Sequence, residues 1–66
     1  MADIDALKAE VKKLSARAMN FKMNLHDLSE ELPLSWQTIP EVAQQAFEAF
    51  RDLEAKRAEL KQAENA

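Results

Sequence analysis

Apolar residues recur along the first half of the chain at alternating intervals of three and four: Ile4, Leu7, Val11, Leu14, Ala18, Phe21, Leu25, Leu28 and Leu32. An unbroken alternation of this kind is an a/d seam, so it predicts one long amphipathic helix. Asp3 or Asp5 stands where a carboxylate caps the first free N–H groups and suits the positive end of the helix dipole. Pro33 ends the element, because the residue before a proline is pushed out of the α region. The predicted helix therefore covers about 3–32.

The connection occupies 33–38, and two starts for the next helix compete. Thr38-Ile39-Pro40-Glu41 reads as a capping box with proline in the first turn, where its missing N–H costs nothing. Ser35 is the alternative cap, for a turn beginning at Trp36. The first start is the stronger signal, with a loose helical turn before it. The second helix is expected over about 39–62, with a frayed tail at 63–66. Its predicted seam is Ile39, Ala43, Ala46, Phe50, Leu53, Arg57 and Leu60, widened by Val42, Phe47 and Ala49.

Folded antiparallel about the turn, the two seams match layer by layer. Leu32 meets Ile39, Leu28 meets Ala43, Leu25 meets Ala46, Phe21 meets Phe50, Ala18 meets Leu53, Leu14 meets Arg57 and Val11 meets Leu60. Large residues face small ones in several layers, which lets them interdigitate. The same register sets Lys12 near Glu59 and Arg17 near Glu54. The expected fold is an all-α, antiparallel two-helix hairpin forming a single domain over 1–66.

Composition sharpens this picture. The chain has 66 residues, no glycine and no cysteine. Without glycine it has few cheap places to turn, so few and long elements are expected. Without cysteine it has no disulfide, no thiol nucleophile and no thiolate ligands for an iron–sulfur cluster. Two packed helices leave much of their surface wet, and chains this small usually need a staple, a metal or a partner. The expectation is a homodimer, a four-helix bundle, or a higher homo-oligomer. No apolar run is long enough to span a bilayer, and the acidic start, Met-Ala-Asp-Ile-Asp, is unlike a secretory signal, so a cytoplasmic location is expected.

Candidate chemistry gathers around the end of the first helix. His26 and Glu30 are four apart and share a helix face, with Asp27 beside them. The set His26, Asp27 and Glu30 is the candidate site for a divalent metal ion, although a site needs three or more ligands and one histidine per chain would need help from other copies or water. The plain alternative is an exposed histidine paired with Glu30. Ser29 and Asp27 cannot align with His26 as a catalytic triad, because near neighbours on a helix diverge, so an enzyme is not expected. A basic stretch, with Lys8, Lys12, Lys13, Arg17 and Lys22 against Glu10, is the feature a nucleic-acid-binding protein would use. The formal net charge is −3, and helix 2 offers acids to these bases, so a solvated, ion-paired face is the expectation and nucleic acid an unlikely partner. A further stripe on helix 1 carries Met19 and Met23, adaptable side chains suited to packing or to a contact surface. Trp36 and Leu34 either fold back on Leu32 and Phe47, or combine with His26, Asp27, Glu30 and Glu31 as an exposed end that grips another protein.

The run Phe-Lys-Met-Asn-Leu-His-Asp-Leu-Ser-Glu-Glu-Leu-Pro over 21–33, continued by Trp-Gln-Thr-Ile-Pro-Glu-Val-Ala from Trp36, resembles the small Rop-like proteins associated with nitrogen-fixation operons. The resemblance covers about 14–53. It implies a helical hairpin that dimerises, and a role beside nitrogenase. Some members of that family are described as metalloproteins, which draws further attention to His26 and its acidic neighbours. The function it implies is a non-enzymatic accessory factor that binds a nitrogenase component or a cofactor-maturation intermediate. A metal-binding bundle and a Rop-style nucleic-acid regulator are the alternatives. Likeness of fold to Rop does not by itself carry over RNA binding.

Overall fold

The computed structural model describes residues 3–65. Two helices, α1 (Ile4–Glu31) and α2 (Ile39–Asn65), form an antiparallel hairpin, joined through a 3₁₀ turn at Trp36–Thr38. The hairpin is a rod of 49 × 15 × 13 Å. Asp3 caps α1 as anticipated: the N–H groups of Asp5 and Ala6 donate to its Oδ1 at 3.1 and 3.3 Å. Leu32 leaves the helix in an extended conformation, at ψ 141°, ahead of Pro33. α2 continues to Asn65 and takes in most of the segment expected to fray.

The turn departs from the anticipated capping box. The Thr38 hydroxyl donates to the carbonyl of Ser35 at 2.7 Å and so closes the 3₁₀ turn. Ser35 itself takes the left-handed conformation, with φ 60°. That conformation is costly for any residue with a Cβ, and this chain has no glycine to place there. Ser35→Gly is accordingly expected to raise stability by about 1 kcal/mol, read from the midpoint of thermal or urea unfolding. An unchanged or lower midpoint would contradict the strain assigned to this position.

The core corrects the seam assigned to the second helix. α1 buries most of the expected side, with Leu7, Ala18 and Leu28 inside and Val11, Leu14 and Phe21 half-buried, whereas Leu25 and Leu32 of the predicted seam are exposed. On α2 the inward residues are Val42, Ala46, Ala49, Leu53, Lys56, Leu60 and Ala63. Ala46, Leu53 and Leu60 belong to both descriptions, whereas Ile39, Ala43, Phe50 and Arg57 turn outward. The central layer is therefore Ala18 with Ala49 and Leu53, and not Phe21 against Phe50. Ala18 is 1% exposed, while Phe50 is 44% exposed. Two alanines at the crossing allow the backbones to approach closely; a phenylalanine in that place would hold the helices apart and leave voids beside it.

Lys56 explains the other half of the rotation. Its aliphatic stem covers the edge of the seam, as long basic side chains commonly do. Its ammonium reaches Glu10 across the hairpin at 3.0 Å and Glu59 along its own helix at 3.1 Å. The hydrogen bonds it donates to the carboxylates of Glu10 and then Glu59 raise its pKa above the ordinary lysine value. This clamp takes the place of the expected pairs Lys12 with Glu59 and Arg17 with Glu54. Arg17 instead lies over the Phe21 ring, 5.7 Å from its centre.

Candidate functional site: an apolar face and an acid-ringed turn

The rotation of α2 leaves a consequence on the surface. Residues that a single hairpin would prefer to bury stand on one side of the rod. Met19, Met23, Leu25, Phe47 and Phe50 are all exposed, Phe47 to 63%. Between the helices on this side runs a shallow groove of about 980 Å³, lined at its centre by Met19, Leu25, Ala43, Phe47 and Phe50. A smaller depression of about 520 Å³ continues it toward the open end of the hairpin, past Val11, Ser15 and Leu60. The rims are unequal in charge. Lys8, Lys12 and Arg57 border the open end, and Lys22 and Arg51 border the middle. Glu54 is the one carboxylate among these lining residues. On a chain of net charge −3, this face is locally basic.

The turn end has the opposite character. His26, Asp27, Glu30 and Glu31 are exposed on the last turns of α1. His26 Nε2 stands 3.8 Å from Glu30 Oε1, with both side chains in solvent. The carbonyl of His26 accepts from the Ser29 hydroxyl at 2.7 Å, which ties Ser29 into its own helix. Leu34 is 70% exposed and Trp36 60%, so Trp36 stands open to solvent. Leu32 and Ile39 add further exposed apolar surface beside them. All six residues expected to meet a partner are thus accessible at one end of the rod. What periodicity alone missed was the part Phe50 and Leu25 play in the open face. The signal for it lay in Ala49, whose small side chain fits a helix crossing better than its neighbour Phe50 does.

The metal question has a geometric side. Among the described residues, no group of three or more His, Asp or Glu side chains converges as a metal site. His26 and Glu30 supply two positions, and the adjacent Asp27 points away around the helix. Zinc titrated into the isolated chain is expected to bind weakly, to compete with protons, and to lose that binding in His26→Ala. Tight binding that survives the substitution would place any metal elsewhere.

Comparison with known proteins bears on this arrangement of exposed face and acidic end. The sequence matches the family described as Rop-like over residues 2–65. The chain belongs to the Rop-like family. A UPF0437 protein of Azorhizobium caulinodans is 59% identical over 64 residues, covering 97% of this chain and 93% of that relative. A second, UPF0437 protein y4xE of Sinorhizobium fredii, is 46% identical and covers 98% of this chain and 97% of its own. A third, from Frankia alni, is described as a UPF0437 protein in the nifX-nifW intergenic region; it is 33% identical, over 77% of this chain and 62% of the relative. An NMR structure of the structural-genomics target McR1 superposes with a TM-score of 0.86 at 43% identity, covering 98% of this chain and 92% of that one. These matches support the all-α hairpin and a Rop-like family that includes a member from a nifX-nifW intergenic region. The family description is of a fold and names no catalytic activity. Among the described residues, no helix is long and apolar enough to cross a membrane.

Proposed function

We propose that this Rop-like chain is a non-enzymatic, cytoplasmic accessory factor of nitrogen fixation that works as a homodimer. Its client is a nitrogenase component or an intermediate of cofactor maturation. The observation that carries the reading is the turn end, with an exposed tryptophan and leucine after a helix whose last turns expose Asp27, Glu30 and Glu31, in a family with a member in the nifX-nifW intergenic region. Trp36, 60% exposed, has the properties of an interface anchor. The surrounding acids select a basic client surface and speed encounter with it. A client that lacks its cofactor suits this end best, because its own site is less ordered and more open. The chain contributes recognition and stabilisation, and its lack of cysteine is consistent with leaving cluster ligation to the client.

The dimer is supported by the open face. Phe47, Phe50, Met19 and Met23 form a larger apolar surface than a lone hairpin of this size would leave uncovered. Light scattering during size exclusion should give about twice the chain mass of 7.5 kDa, or a multiple of it. The functional test is affinity recovery from nitrogen-fixing cells. A tagged chain should retain a nitrogenase component or maturation factor, preferentially in immature form. Trp36→Ala and Glu30→Lys should reduce that recovery while the helical content stays unchanged. Recovery of RNA with no nitrogen-fixation protein, lost on substituting Lys12 or Lys22 and steeply salt-dependent, would sink the proposal in favour of a nucleic-acid regulator.

A further inference from the structure

The chain carries no cysteine, so whatever sulfur chemistry it has belongs to methionine. Met19 and Met23 are the two methionines among the described residues. They are four apart on α1, so their thioethers share one helix face. Both are open to solvent in the hairpin, Met19 to 51% and Met23 to 58%. Both stand on the side of the rod that exposes Phe47 and Phe50, and Met19 lines the groove there. A leucine would offer similar volume and apolar area at either position. The thioether adds one property that leucine lacks, a sulfur that oxidants can reach and modify reversibly.

The reagent that suits this sulfur is a hydroperoxide. A lone pair on Sδ attacks one oxygen of hydrogen peroxide and the O–O bond breaks. The proton of the transferred hydroxyl passes to the departing hydroxide, which leaves as water. The thioether is oxidised to its sulfoxide and the peroxide is reduced. Methionine sulfoxide reductases reverse the change, one enzyme for each sulfoxide epimer, with thiols as the reductant. The product is a polar group where an adaptable apolar one stood. Covering it with apolar surface, without a hydrogen-bond donor for its oxygen, is unfavourable. The buried core of the hairpin contains neither methionine, so the same chemistry leaves the packing of α1 on α2 alone.

We propose that Met19 and Met23 are a reversible peroxide-modification site that governs assembly. As thioethers they allow the open face to be covered; as sulfoxides they hold the hairpin free. The inference rests on the self-association put forward above and adds its regulation. Oxidation acts on the free hairpin, whose two sulfurs are accessible, and the covered face protects them. Peroxide therefore captures chains that have come apart and keeps them from reassembling.

Hydrogen peroxide applied to the full chain tests this, with mass spectrometry to locate the added oxygen and light scattering to follow assembly. Sulfoxide should form at Met19 and Met23, more slowly at chain concentrations where the assembly is populated. The Kd of self-association should rise about tenfold for each sulfoxide. Helical circular dichroism should not change, and sulfoxide reductases A and B together should restore the original Kd. The double variant Met19→Leu, Met23→Leu should associate like the parent and ignore peroxide, which separates these two sulfurs from Met1 and Trp36. An unchanged Kd after full conversion of both methionines would overturn the switch and leave self-association standing. Equal sensitivity of the leucine variant, or loss of helicity on oxidation, would also overturn it. A chain that scatters as a monomer at every concentration before any oxidation would overturn both the switch and the self-association beneath it.

Discussion

Ala18→Asp is expected to abolish the folded hairpin, with loss of most of its helical circular dichroism at micromolar concentration. Ala18 is 1% exposed and packs in the central cluster with Ala49 and Leu53. No buried polar or charged residue is present among the described residues, so nothing inside the seam can accept or pair a carboxylate there. An isolated ionised carboxylate in such a place costs far more than a small domain has to lose, and a protonated one still lacks a hydrogen-bond partner. The added volume forces the helices apart as well. Retention of full helicity in the variant would show that the Ala18 layer is not a closed part of the core. Ala16→Asp is the matched control: it lies two residues away on an exposed position and should leave the fold intact.

Leu53→Ala is the second large effect. Leu53 is 5% exposed and is the largest side chain in the central cluster. Truncation of a buried leucine costs about 2–5 kcal/mol, and this layer has little freedom to collapse because its neighbours are already alanines. A loss near 3 kcal/mol would be a large share of the stability of a domain this small. Urea unfolding at fixed protein concentration measures it. Phe50→Ala supplies the contrast. Phe50 stands on the open face, so its removal should act chiefly on association, with a stronger concentration dependence of the midpoint than Leu53→Ala shows. Equal behaviour of the two variants would mean that Phe50 belongs to the hairpin core after all.

The sequence was most legible where one signal had no competitor. The α1 stripe is unbroken in sequence and its Leu7, Ala18 and Leu28 are buried, although Leu25 and Leu32 fall outside the seam, and Asp3 and Pro33 mark the ends by local chemistry alone. α2 was harder because two stripes share Ala46, Leu53 and Leu60. Counting hydrophobicity favours the stripe through Phe50; fitting the close crossing favours the stripe through Ala49. Close packing decided, since it acts on shape and not on apolar content alone. Lys56 was illegible for a related reason. A lysine reads as surface, yet its stem seals the seam while its charge reaches Glu10 on a segment more than forty residues away in sequence. The turn was legible as a break, but Thr38 had two possible acceptor and donor roles, and the serine carbonyl nearby took its hydroxyl. The turn end had two readings in the sequence, with Trp36 and Leu34 either folded back on Leu32 and Phe47 or exposed beside the acids; all four apolar side chains stand exposed.

The turn also limits what else this chain can become. Between Glu31 and Trp36 lie only four residues, Leu32 to Ser35, and helix-forming sequence flanks them on both sides. Straightening them would yield one uninterrupted helix, and two such helices would exchange halves and trap each other in a swapped pair. Pro33 forbids this twice over: it has no N–H for the ladder, and it bars Leu32 from helical geometry. The short connection thereby acts as a topological lock. It commits each chain to folding back on itself, so that any larger assembly is built from closed hairpins and can come apart again without unfolding.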